Sequence, residues 1–158
     1  MPKNNPVQVD LTKLKILRRQ TAVSFSACKK ALEETNNDLE KAKIKLRDWG
    51  VEKAAQKADR PTAQGVIAAY VHHNQRVASM VELACETDFV AGNADFRALA
   101  QEIAMQAAST PKEIETVGDF LKMEYIREPS KTVSDLLKEA VLKFGENIQL
   151  KRFLKWQI

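Results

Sequence analysis

Few residues of this chain could do chemistry on their own. His72 and His73 are the only histidines and stand together, while Cys28 and Cys85 are far apart. A general base needs a nucleophile within reach, and a metal needs converging ligands. No serine, threonine or cysteine has a histidine at a suggestive spacing. On an extended strand His72 and His73 would point to opposite faces, a poor start for a metal site. With five glycines and neither a G-x-x-x-x-G-K-[ST] nor a G-x-G-x-x-G arrangement, no phosphate cradle is written into the chain. The expectation is therefore a protein without catalytic residues, metal or cofactor, and not an enzyme. Both cysteines lie inside apolar patterns and read as buried free thiols of a reducing, cytoplasmic setting rather than as a disulfide.

One stretch stands apart. "ETDFVAGNADF", residues 86–96, follows an alternating apolar run and places Phe89 between Asp88 and Val90. Either Phe89 plugs its own domain, which composition alone favours, or it is presented to another protein.

The elements around it have to position that aromatic. Leu11, Leu14 and Leu17 recur at helical spacing behind Asp10 as N-cap, predicting a helix over 11–20. Phe25, Cys28 and Leu32 stripe a second over 25–35, broken by Asn36 and Asn37, which tolerate left-handed backbone. Asp38 opens a third, with Leu39, Ala42, Leu46 and Trp49 on one face and Gly50 as its expected C-terminal cap. The polar stretch from Val51 to Gln64 reads as a short exposed helix and linker ending near Pro61. Beyond it, Val66–Val71 and Val77–Cys85 form a hairpin turning near Asn74, the first strand apolar on both faces and so expected to be covered on both. A helix from Asp95 to Ala108 presents Phe96, Leu99, Ile103 and Ala107. The segment from Pro111 to Pro129 reads as partly helical, and 113–127 has no clear pattern. Val133–Phe144 forms a helix closed by Gly145, and "NIQLKRFLKW" completes the sheet.

The expected fold class is α+β: a three-helix N-terminal domain over 1–50, a linker over 51–64, and a core domain over 65–158 with a three-stranded antiparallel sheet packed on helices. Net charge is +4, from 25 basic and 21 acidic residues interspersed along the chain. That pattern argues against a nucleic-acid partner, which calls for basic residues gathered on one face. No run approaches the roughly 18 apolar residues of a membrane span. The opening "MPKNNPVQVD" lacks the apolar core of a secretory signal and reads as a short disordered lead.

The runs "CKKALEETNNDLEKA", "KAAQKADRPTAQG", "GVIAAYVHHN", "MVELACETDFVAGNADFRALAQEIAMQ", "EPSKTVSDLLKEA" and "FGENIQLKRF" resemble, in order and over most of the chain, bacterial elongation factor Ts. The resemblance implies a UBA-like head, a linker and a core of dimerisation type. It implies a guanine nucleotide exchange factor of translation that binds elongation factor Tu·GDP and disturbs its Mg²⁺ and phosphate site. The family's TDFV motif matches Thr87, Asp88, Phe89 and Val90, with Phe89 as wedge and Asp88 as its polar companion. Arg18 and Phe25 match positions through which the head docks, and His72 or His73 matches a contact near the phosphate loop.

The sequence departs from the family in three places. "TAVSF" lacks the usual glycine-rich turn at 22–24, and Ser26 replaces an apolar residue beside Phe25. Asn74-Gln75 stands where Asn-Gly is common, against a type I′ turn. The chain has room for one core subdomain where long members carry two, so a homodimer that restores the missing half is expected. Two readings compete with exchange: a UBA-type polypeptide-binding adaptor, and an RNA binder using the lysines of 53–60.

Overall fold

A computed structural model of the chain describes residues 7–158. The head consists of α1 (Leu11–Thr21), α2 (Phe25–Glu34) and the first half of α3 (Leu39–Lys57). Each begins where a side chain can take an orphan amide: the Asp10 carboxylate accepts from Thr12 and Lys13 N–H, Ser24 accepts from Ala27, and Asp38 from Lys41. Asn36 and Asn37 both adopt positive φ, 51° and 61°, ending α2 as expected. Leu14, Leu17, Cys28, Leu32, Ala42 and Leu46 close a small core.

The opening segment corrects one expectation in part. Its first six residues lie outside the described ones, but Asn37 Nδ2 donates to the Gln8 carbonyl at 2.9 Å, and Asp10 N–H donates to Asn37 Oδ1 at 2.8 Å. Val9 packs on the head core. Residues 8–10 are thus fastened by the α2–α3 turn.

Gly50 does not cap a helix; α3 runs through it to Lys57. A Cβ at Gly50 would stand 3.1 Å from the main-chain oxygen of Lys138. The glycine serves close packing against α7 (Val133–Phe144), not termination. An ionic cluster beside this crossing joins head to core. Arg47 reaches Glu128 at 3.3 Å and Glu139 at 3.7 Å, and Lys131 bridges the same two carboxylates at 2.9 and 3.0 Å.

In the core, β1 (Gln64–Val71), β2 (Val77–Cys85) and β5 (Gln149–Gln157) form an antiparallel sheet in the order β1-β2-β5. Its inner face, with Ala68↔Val81↔Phe153 in register, packs on α5 (Ala94–Ser109) and the elements around it. Cys28 and Cys85 are both buried and free.

The outer face corrects a second expectation. Ile67 is 65% exposed and Val71 63%, and their neighbours Met80, Leu154 and Trp156 are exposed as well. β1 is therefore covered on one face only, although its sequence is apolar on both. At the hairpin turn the Gln75 N–H donates to the His72 carbonyl at 2.8 Å, and Gln75 alone takes positive φ there, 57°. A type I′ turn would need two such residues, so its absence was rightly read from the sequence.

Residues between α5 and α7 form α6 (Val117–Lys122) and a two-stranded ribbon, β3 (Glu124–Tyr125) with β4 (Glu128–Thr132). The ribbon was not expected. It hangs on buried Gln106, whose amide donates to the Glu124 carbonyl at 3.1 Å and accepts from Ile126 N–H at 2.8 Å. Among the described residues no helix is long and apolar enough to cross a membrane.

Candidate functional site

β2 delivers the chain at Cys85 to Thr87, which caps the single helical turn α4 (Asp88–Gly92). Thr87 is extended, φ −121°, and its hydroxyl accepts from Val90 N–H at 3.4 Å. The turn is amphipathic over consecutive residues. Ala91 is buried, and Val90 packs against the core. Asp88 is exposed, and Phe89 is 86% exposed. Composition favoured a core role for this aromatic, and the structure places it in solvent instead.

The base of α4 is held from two sides. The Cys85 thiol donates to the Thr87 carbonyl at 3.2 Å. Burial pushes that thiol's pKa up, and the Glu146 carboxylate pushes it further, which favours the neutral thiol that donates this bond. From the other side Glu146 accepts from the Glu86 and Thr87 amides at 3.0 and 3.1 Å and from the Thr87 hydroxyl at 2.5 Å. The next residue, Asn147, donates its amide N–H to Glu86 Oε1 at 2.6 Å. Its side chain donates to the Ala58 and Arg60 carbonyls at 3.2 and 2.7 Å. The site thus offers a solvent-facing ring and an exposed carboxylate on a base fastened by hydrogen bonds.

Arg18 and Phe25 are brought together on the head. With Leu11, Leu14 and Lys15 they line a shallow groove of about 300 Å³, and Phe25 is 51% exposed. The turn before Phe25 keeps its shape without glycine: Ala22 adopts φ 53° and donates its N–H to the Arg18 carbonyl at 2.8 Å. Ser26 is exposed, its hydroxyl 3.2 Å from that of Ser24.

His72 and His73 lie elsewhere. The β1–β2 ladder runs from Gln64↔Cys85 to Val71↔Ala78, so the histidines sit at its far end, roughly 25 Å along the strands from Thr87. They do not point to opposite faces. β1 ends at Val71, and the two rings stand 4.2 Å apart, with Tyr70 Oη 2.9 Å from His72 Nδ1. One chain therefore does not gather these histidines with Thr87–Val90.

Sequence reasoning missed Glu146 and Asn147. Their signal was an acidic–amide pair between the helix-ending Gly145 and the last strand, and nothing local says that it faces residue 87.

Two family models match the chain. One described as elongation factor TS covers residues 86–158, and one described as elongation factor Ts, mitochondrial, N-terminal, covers 3–58. The elongation factor Ts of Coprothermobacter proteolyticus is 34% identical over 96% of this chain and 99% of its own length. That of Thermosipho melanesiensis is 37% identical over 92% of this chain and 96% of its own. That of Aquifex aeolicus is 42% identical over 94% of this chain but only 52% of its own length.

Proposed function

The chain belongs to the elongation factor Ts family, and from that premise we propose that it binds elongation factor Tu·GDP in the bacterial cytoplasm and promotes GDP release as a guanine nucleotide exchange factor. The observation that carries this reading is Phe89, 86% exposed on a turn whose neighbours are anchored. A free aromatic forgoes about 1.5–3 kcal/mol of burial, which a partner's pocket can return.

In this reading Phe89 enters the partner beside its nucleotide site, with Asp88 meeting polar groups there. A nanomolar GDP site holds its ligand by about 12 kcal/mol, and partner and nucleotide must weaken each other equally. One ring is too little for that. The head groove around Arg18 and Phe25 supplies a second contact, and His72 or His73 a third at the far end of the hairpin. No catalytic group, metal or cofactor of its own enters the reaction.

The uncovered sheet face supports a homodimer. Aligned with the Aquifex aeolicus relative, this chain spans about half that protein's length, and Ile67, Val71, Met80, Leu154 and Trp156 form an apolar surface that a second copy would cover. The test of function is release of labelled GDP from elongation factor Tu. Exchange predicts a saturable acceleration. The adaptor reading predicts no effect on release.

A further inference from the structure

We propose that Glu146 is a positioning residue for exchange: by holding Thr87 it sets where Phe89 is presented, and so the maximal rate of GDP release. The inference rests on the reading of Phe89 as the wedge.

Three donors converge on this one carboxylate. Oε2 takes the main-chain amides of Glu86 and Thr87, and Oε1 takes the Thr87 hydroxyl. The hydroxyl that donates to Glu146 is the same one that accepts the Val90 amide and starts α4. A short relay therefore runs from Glu146 through the Thr87 hydroxyl to the turn that carries Phe89. A helical turn of five residues has little stability of its own, because nucleation fixes several dihedrals for one hydrogen bond. Its geometry must come from outside, and the Glu146 carboxylate accepts three charge-assisted hydrogen bonds at its base.

Glu146 is itself well placed to hold. It follows Gly145, whose φ of 72° ends α7 and turns the chain toward β5. Lys57 Nζ donates to the Gly145 carbonyl at 2.7 Å, and Asn147 ties the linker carbonyls of Ala58 and Arg60. The turn 145–147 thus joins the end of α3, the linker and the base of α4. Hydrogen bonds thus run from the base of the turn that carries Phe89 to the end of the helix that leads back to the head.

The test is GDP release from elongation factor Tu at saturating factor, for the wild-type chain, Glu146→Ala, Glu146→Gln, Phe89→Ala and the Glu146→Ala/Phe89→Ala double variant. Glu146→Ala should lower the maximal rate about tenfold while the half-saturating concentration moves less than about threefold. Glu146→Gln keeps an acceptor for the amides and should fall between it and wild type. In the Phe89→Ala background Glu146→Ala should cost nothing further, because a positioning residue has nothing left to position.

A further multiplicative loss in that background would mark Glu146 as a general structural residue and overturn the inference. So would an unchanged maximal rate in Glu146→Ala when Phe89→Ala is impaired. A wild-type chain that fails to accelerate release would instead overturn the exchange reading itself.

Discussion

Gly50 in α3 packs closely on Lys138 in α7: a Cβ on the glycine would lie 3.1 Å from the lysine's main-chain oxygen, tighter than ordinary contact. Head and core are joined through this crossing. Gly50→Ala gains about 1 kcal/mol of helix propensity and costs a shift of a few tenths of an ångström, so its stability should stay near wild type. Gly50→Leu has no such escape and should lose about 1–3 kcal/mol by overpacking, read by urea unfolding.

Ala22 takes φ 53°, where an L-residue with a Cβ pays roughly 1–2 kcal/mol. Glycine removes that strain but frees the unfolded chain by about 0.4–1 kcal/mol. Ala22→Gly should therefore stabilise the protein by about 0.5–1 kcal/mol, seen as a higher urea midpoint with an unchanged slope. A lower midpoint would mean the turn differs from the one described.

Acid should loosen the region of α7. Burial works against the charges of Asp135 and Glu128. Thr132 hydrogen bonds hold Asp135 below its usual 3.8, and Lys131 holds Glu128 below its usual 4.5. Both are depressed in the folded state, so their contribution is complete above those usual values and is lost as pH falls through the lower folded ones. Melting temperature should fall with pH below about 4.5, and Asp135→Asn, already lacking the charge, should show a shallower fall between pH 5 and 2. Thr132→Ala, which breaks the capping box, should cost about 1 kcal/mol at neutral pH.

The outer sheet face gives a prediction about mass. Trp156 is 55% exposed there, and β2 register places Ala78 between it and Val71. Light scattering should find the wild-type chain at twice its 17.8 kDa and Trp156→Glu at the monomer mass, still melting in one transition but at a somewhat lower temperature, since the dimer's stabilisation is lost. A wild-type monomer would remove the dimer.

These features were not equally legible in the sequence. The hairpin, α5, α7 and the asparagine turn were readable because their causes are local: alternation, helical spacing and tolerance of positive φ. Gly50 was misread because a close approach to a residue far along the chain looks, in sequence, like a cap. The β3–β4 ribbon was invisible, since strands of two and five residues carry no period and depend on Gln106. β1 was expected to be covered on both faces, and an apolar sequence cannot say whether the covering is intramolecular. For Phe89 the residues themselves left plug and wedge both open, and composition leaned the wrong way. Only the burial of Ala91 beside it, with Val90 against the core, shows which way the turn faces.

The most direct test compares GDP release from elongation factor Tu with the wild-type chain and with Phe89→Ala, alongside thermal melts of both. An exposed side chain carries little stability, so the variant should melt within about 0.5 kcal/mol of wild type while exchange falls well below wild type and stays above the unassisted rate. A variant that loses the roughly 3–5 kcal/mol typical of a truncated core phenylalanine would contradict the placement of Phe89 in solvent. Unchanged melting with unchanged GDP release would contradict the wedge role proposed for it.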